Sequence, residues 1–181
     1  CDGVIAGTEN YTENILSKLK KLKVISRVGV GMDNIDIESA EKLGIKIFMT
    51  STSPAPAVAE LVLGLIIDVM RKISLCNYDL KLGKWDKRMG SLLHGKTLGI
   101  IGMGTIGKTL VKLVRGFKLK ILACDLIQDQ NFQIDYNITY CDMEKVFKES
   151  DIVSIHLNLS DQTKKIVNKD LLSLMKQSAI L

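Results

Sequence analysis

Thr97-Leu98-Gly99-Ile100-Ile101-Gly102-Met103-Gly104-Thr105-Ile106-Gly107 is the stretch on which the reading of this chain turns. An apolar run breaks into three glycines spaced Gly-x-Gly-x-x-Gly, which predicts a strand, a tight turn and the opening of a helix. Gly102 permits the turn, Gly104 lets a dinucleotide pyrophosphate approach the backbone, and Gly107 lets the helix pack close on the strand. The helix N-terminus offers unpaired N–H groups to the phosphates. Lys120-Ile121-Leu122-Ala123-Cys124 reads as the next strand and delivers Asp125, about twenty residues on, where a carboxylate takes the adenosine ribose hydroxyls. A glycine-rich turn that binds nothing is the competing reading of the loop taken alone.

The helix opened by the loop carries Ile106, Leu110, Leu113, Val114 and Phe117 on the face expected to meet the sheet. Beyond Asp125, residues 126–137 read as an exposed connection and Ile138–Tyr140 as a short strand. Asp142–Ser150 reads as a capped helix, and Ile152–His156 as a buried strand. Lys169–Met175 predicts a further helix, and Ser178–Leu181 begins another strand. A central strand that stops partway leaves ladder groups unpaired, so the chain is expected to be part of a longer protein.

Upstream, Gly3–Ala6, Val24–Val28 and Ile45–Met49 read as strands. They alternate with a helix entered near Thr12, whose apolar face is Ile15, Leu16, Leu19 and Leu22, and with a second helix, Ile37–Leu43, stopped by Gly44. This βαβαβ order predicts a parallel sheet. The second strand ends in Gly29-Val30-Gly31-Met32-Asp33-Asn34, a glycine loop at a strand's carboxyl end, where α/β sheets bind ligands. Thr50–Pro56 holds both prolines and reads as a linker. The expected domains are therefore residues 1–52 and 53–181. Ala57–Ile73 predicts a helix apolar around its whole circumference, buried between domains or subunits, and Cys76–Leu93 reads as a less regular arm.

A chain of 181 residues with 46% hydrophobic content accommodates a folded core, which argues against disorder. The apolar run Leu61–Val69 is too short to span a membrane. Net charge is +5, yet the cluster Lys18, Lys20, Lys21 and Lys23 has no aromatic residues interleaved and reads as a solvated helix face rather than a nucleic-acid surface. Cys1, Cys76, Cys124 and Cys141 are scattered without metal-ligand spacing, so no metal site and no disulfide framework is expected. The opening residues carry no charged leader or cleavage site. A reducing cytoplasm is the expected compartment.

With these segments in order, the chain resembles the D-isomer-specific 2-hydroxyacid dehydrogenase family over essentially its whole length, nearest the branch that oxidises phosphoglycerate. Arg27-Val28-Gly29-Val30-Gly31-Met32-Asp33-Asn34-Ile35-Asp36 resembles the family's substrate-domain loop. Ala57–Leu61 resembles the start of its interdomain helix, and Leu82–Trp85 falls in its dimer arm. The stretch Gly95–Gly107 with Asp125 resembles its cofactor signature, and His156–Leu159 with Thr163 resembles the wall of its adenosine pocket.

The resemblance implies a partial, flavodoxin-like substrate domain with a parallel sheet, followed by a partial Rossmann-type NAD-binding domain. It implies NAD as cofactor, a small 2-hydroxy or 2-keto acid as substrate, and a homodimer. Gly29, Val30 and Gly31 would hold the substrate carboxylate, with Val30 also near the nicotinamide. Within a cofactor-binding loop that includes Gly102, Gly104 and Gly107, Thr105 and Ile106 would hold the pyrophosphate, Asp125 the ribose, and His156 and Leu157 the adenosine side. The family's catalytic arginine, glutamate and histidine would lie beyond Leu181, so no catalytic residue is assigned within 1–181. Neither His94 nor His156 is read as a substitute for them. Two classes stay open: an enzyme acting on 3-phosphoglycerate, or on glyoxylate or hydroxypyruvate, and a non-enzymatic NAD-sensing module of the corepressor type.

Overall fold

The structure is a computed structural model that describes residues 1–181. The chain divides into two compact units, Cys1–Pro54 and Ala55–Leu181. The first is a three-stranded parallel sheet in the order β1 (Gly3–Ala6), β2 (Val24–Arg27), β3 (Lys46–Met49). This order is compatible with one side of a flavodoxin-like sheet. Its helices are α1 (Glu13–Leu16) and α2 (Ile37–Lys42), and its core is Ala6, Leu16, Leu22, Ile25, Ile35, Ala40 and Ile45.

The helix entered near Thr12 is shorter than its apolar spacing implies. Thr12 makes no side-chain cap, and the α-helix ends at Leu16. Leu16 and Leu22 are buried while Ile15 and Leu19 are exposed, so the four do not share one covered face. By contrast α2 is well closed at both ends. The Asp36 carboxylate accepts from the Ser39 N–H at 3.0 Å, and Gly44 takes the left-handed conformation just past the helix.

The second unit opens with α3 (Ala55–Arg71) and α4 (Ile73–Lys81). A left-handed Lys72 separates them, and both Asp68 carboxylate oxygens hold Ser74, one through its N–H and one through its hydroxyl, each at 2.7 Å. The expected irregular arm is therefore helical as far as Lys81. Then come β4 (Thr97–Ile101), α5 (Thr105–Leu113) running into a 3-10 turn at Val114–Phe117, β5 (Lys120–Cys124), α6 (Gln130–Tyr136) and β6 (Ile138–Tyr140). The chain finishes with α7 (Met143–Glu149), β7 (Ile152–Ile155) and α8 (Lys169–Leu174). Helix α6 replaces the exposed connection expected at 126–137. It is started by Asp129, which accepts from the Phe132 N–H at 3.0 Å, and steadied by Phe132 stacked on Tyr136 with ring centres 4.3 Å apart.

All strands of this unit are parallel, in the order β6-β5-β4-β7, and Ile180 adds a bridge beside Ile152 on the outer side of β7. Both faces are covered, as a parallel sheet requires. Leu98, Ile100, Ile121, Ala123 and Ile138 pack with Ala59, Ile66 and Met70 of α3 and Leu110 and Val111 of α5. Ile101, Leu122 and Val153 pack with Val146 and Phe147 of α7 on the opposite face. Leu113, expected on the inner face of α5, is instead 38% exposed, and Val111 takes the buried place. Gly99 has a role that its position inside a strand did not announce: a Cβ there would run into the Val146 and Ser150 side chains, so its absence lets α7 lie close to β4.

Candidate functional site

From β4 the chain proceeds to β5 and β6 on one side, then returns to β7 and Ile180 on the other. The order reverses between β4 and β7, a topological switch point at whose carboxyl ends α/β sheets bind their ligands. Gly102 and His156 meet there. The His156 N–H donates to the Ile101 carbonyl at 2.7 Å, and a Cβ on Gly102 would stand 2.6 Å from the His156 carbonyl oxygen and 3.2 Å from Leu157 Cδ2. Gly102 also has φ +95°, a conformation that side chains resist. A Cβ on Gly107 would lie 2.5 Å from the Gly102 carbonyl oxygen, so this glycine sets how closely α5 approaches the loop.

Gly104 differs from both. It caps α5 in extended backbone, and nothing lies within 4 Å of the position its Cβ would take. The N–H groups of Gly104, Thr105 and Ile106 have no hydrogen-bond partner in the chain, while the Gly102 N–H donates to the Cys124 carbonyl at 2.9 Å. The result is a row of free donors at the positive end of a helix, with open space beside Gly104, which fits a pyrophosphate. Asp125 closes the far side. Its carboxylate accepts from the Met103 N–H at 2.6 Å and from the Ile127 N–H at 2.9 Å, which fixes it beside the glycine loop with lone pairs to spare for two hydroxyls.

Lys108 is a residue the linear reading passed over. It lies upstream of Asp125, and the fold carries it to the start of α6, where it pairs with Asp129 at 2.5 Å and stands 5.4 Å from the Phe132 ring centre. His156 is half-buried with Nε2 2.9 Å from the Ser154 hydroxyl, and burial lowers its pKa, which favours the neutral ring. His94 is exposed. No group of three or more His, Cys, Asp or Glu side chains is placed to hold a metal ion.

In the first unit, Gly29 has φ +139° and its N–H donates to Thr50 Oγ1 at 2.9 Å, so of the three residues of that loop only Val30 and Gly31 keep free amides. Val30 is 47% exposed. Arg27 Nε donates to Asn34 Oδ1 at 3.4 Å, and its guanidinium occupies the space where a Gly29 side chain would stand. Asn34 in turn donates to the Gly7 and Glu9 carbonyls at 3.2 and 2.7 Å, tying together the loops that follow β1 and β2. Arg27, Asn34 and Thr50 were legible as residues but not as a group, because they converge only when three strands align.

A parallel sheet whose order reverses beneath a Gly-x-Gly-x-x-Gly helix start, with a carboxylate on the adjoining strand, defines a Rossmann-type dinucleotide-binding unit. Residues 63–181 match the family described as D-isomer specific 2-hydroxyacid dehydrogenase, NAD binding domain. The chain belongs to that family. It is 39% identical over 180 residues to hydroxypyruvate reductase of Thermotoga maritima, covering 98% of this chain and 58% of that protein. It is 34% identical over 181 residues to D-3-phosphoglycerate dehydrogenase of Methanocaldococcus jannaschii, covering 98% of this chain and 34% of that one. Among solved structures, D-lactate dehydrogenase of Aquifex aeolicus complexed with NAD and lactic acid superposes with a TM-score of 0.85 at 26% identity, covering 99% of this chain and 55% of that one. The chain thus spans well under two thirds of each of these relatives.

Proposed function

We propose that the protein containing this chain transfers hydride between NAD(H) and a small D-2-hydroxy or 2-keto acid. The observation that carries this reading is the pairing of an open Gly104 cradle with the Asp125 carboxylate inside a chain that belongs to this family. The free amides of Gly104, Thr105 and Ile106 hold the pyrophosphate, Asp125 takes the adenosine ribose, and His156 and Leu157 line the adenosine side. Val30 and Gly31 supply amides to the substrate carboxylate, with Gly29 shaping their loop. The cofactor supplies the hydride chemistry. This chain's own residues bind and orient, and no proton-transferring group is assigned among them. His156 is turned to Ser154, and burial lowers its pKa and so favours the neutral ring, which suits a wall residue.

Relatives that reduce hydroxypyruvate and that oxidise phosphoglycerate match at similar identity, so the substrate is proposed as a class, with 3-phosphoglycerate tested first against hydroxypyruvate and glyoxylate. The test follows NADH absorbance in the full-length protein across these acids. Turnover of one or more supports the reading, and a protein that binds NAD but turns over none of a broad 2-keto acid panel removes it.

Cofactor choice follows from charge. Asp125 repels a 2′-phosphate, its neighbours Leu126, Ile127 and Gln128 carry no charge to offset it, and the Lys108 cation is engaged by Asp129. NAD is expected to bind more tightly than NADP by isothermal titration, and equal affinities would refute this. Asp125→Ala is expected to weaken NAD binding by about 1.5–3 kcal/mol, the range for losing a hydrogen bond to a charged group.

The oligomer proposed is a homodimer. Leu61, Leu65 and Val69 form an exposed stripe along α3, and Trp85, Met89 and Leu92 are 87%, 75% and 68% exposed. Apolar surface on this scale marks an interaction face, and most soluble oligomers are two-fold. Light scattering at micromolar concentration is expected to return twice the chain mass. A monomer at that concentration would leave the face for another occupant.

A further inference from the structure

Cys124 ends β5 and Cys141 follows β6. The parallel register pairs Leu122 with Thr139 and Ala123 with Tyr140, and the Cys141 N–H extends the ladder by donating to the Ala123 carbonyl at 2.9 Å. Carried one residue past the end of β6, that register sets Cys124 opposite Cys141. Facing residues on neighbouring strands point to the same side of the sheet, and both cysteines pack against the same core cluster, that of Ile101, Leu122, Val146 and Phe147. Strands in a sheet lie about 4.8 Å apart, inside the Cα separations that a disulfide spans. Both thiols are free and partly exposed at the carboxyl edge of the sheet.

The pair also lies directly beneath the dinucleotide cradle. The Cys124 carbonyl anchors the Gly102 N–H, and the next residue, Asp125, holds the Met103 N–H. We infer that Cys124 and Cys141 form a cross-strand dithiol that a peroxide oxidises to a disulfide, and that this bond loosens the cofactor loop by drawing Cys124 toward β6. One thiolate attacks the peroxide oxygen, giving a sulfenic acid and hydroxide. The second thiolate attacks that sulfur, forming the S–S bond and expelling a second hydroxide. The two thiol protons convert both hydroxides to water, so two thiols and one hydrogen peroxide yield one disulfide and two waters. Reduction by a dithiol reverses the step. Burial raises both thiols above the ordinary cysteine value. The Asp125 and Asp142 carboxylates add to this at Cys124, while at Cys141 Lys145 opposes it and Asp142 and Glu149 reinforce it, so bond formation is expected to quicken as pH rises.

The affinity half of this inference rests on the cofactor reading above; the bond itself does not. Trypsin releases both cysteines on one peptide, Ile121–Lys145, which holds no other cysteine. Reduced full-length protein, native and unfolded in guanidinium, is treated with hydrogen peroxide, capped with N-ethylmaleimide and digested. The native sample is expected to give this peptide unlabelled and lighter by two hydrogen atoms, and the untreated sample to give it doubly labelled. Cys141→Ser is expected to abolish the light form. Persistence of two labels, or oxidation of each cysteine to sulfinic acid without the internal bond, overturns the proposal, as does a bond that forms only in guanidinium.

ADP-ribose affinity is then compared between oxidised and reduced protein. The oxidised form is expected to bind about tenfold more weakly, the equivalent of one anchoring hydrogen bond, and dithiothreitol to restore it. Equal affinities overturn the link to the cofactor loop. Failure of even the reduced protein to bind ADP-ribose counts against the cofactor reading and leaves the mass result to decide the dithiol.

Discussion

A Gly104→Asp variant is expected to melt at or slightly above the temperature of the unsubstituted protein while losing measurable affinity for ADP-ribose. Gly104 caps α5 with φ −70° and ψ −161°, a conformation open to any residue, and no atom lies within 4 Å of the added Cβ. Aspartate is a preferred residue at such a position, since its carboxylate accepts from the first turn's N–H groups and complements the helix dipole. Those N–H groups and that space are the ones proposed for the pyrophosphate. The carboxylate occupies them and repels the anion, so two or more hydrogen bonds to a charged ligand are forfeited at about 1.5–3 kcal/mol each. The expected loss is thus roughly a hundredfold to ten-thousandfold in affinity. Differential scanning fluorimetry and titration calorimetry on the same preparation separate the two effects. Retained ADP-ribose binding would show that the ligand does not sit on this helix end.

Two residues earlier, the expected result is the opposite. Gly102→Val is expected to destabilise the protein by about 2–5 kcal/mol, combining the cost of left-handed backbone in a residue with a side chain and that of overpacking. The strain arises because φ is +95°, and the overpacking because the new Cβ would lie 2.6 Å from the His156 carbonyl oxygen and 2.9 Å from its carbon. These are backbone atoms of β7's end, which cannot turn aside as a flexible side chain would. Chemical denaturation of full-length protein reads this directly. A variant as stable as the unsubstituted protein would mean that the loop relaxes away from β7 at little cost, and the close meeting of these strands would not be needed for the fold.

That contrast marks the boundary between local and tertiary information. Gly-x-Gly-x-x-Gly after an apolar run, followed by Asp125 at the end of the next apolar run, was legible because each element obeys a short-range rule: glycine at a turn, apolar residues in a buried strand, a carboxylate where the second strand ends. Asp142 announced its helix for the same reason, a side-chain acceptor three residues before the N–H it satisfies, and Asp36 caps α2 in the same way. Asp129 does the same for α6, but the surrounding Leu126-Ile127-Gln128 and Gln130-Asn131 have no clear helical period, so the segment read as a connection.

Other features had no local trace. Leu19 and Leu113 follow an apolar spacing yet remain exposed, because burial depends on which elements arrive to cover a face. The role of Gly99 exists only once α7 lies across β4, and that of Lys108 only once α6 reaches α5. Arg27, Asn34 and Thr50 gather only when β1, β2 and β3 align. The sequence by itself therefore determined the succession of strands, the parallel α/β class and the residues of the glycine loop, since these follow from periodicity and backbone freedom within a few residues. The tertiary structure alone decided which glycines are held by packing and which stand open to a ligand, that Gly29 has given its amide to Thr50, and that Cys124 and Cys141 pack against one core cluster. Strand register brings together residues that no window along the chain contains.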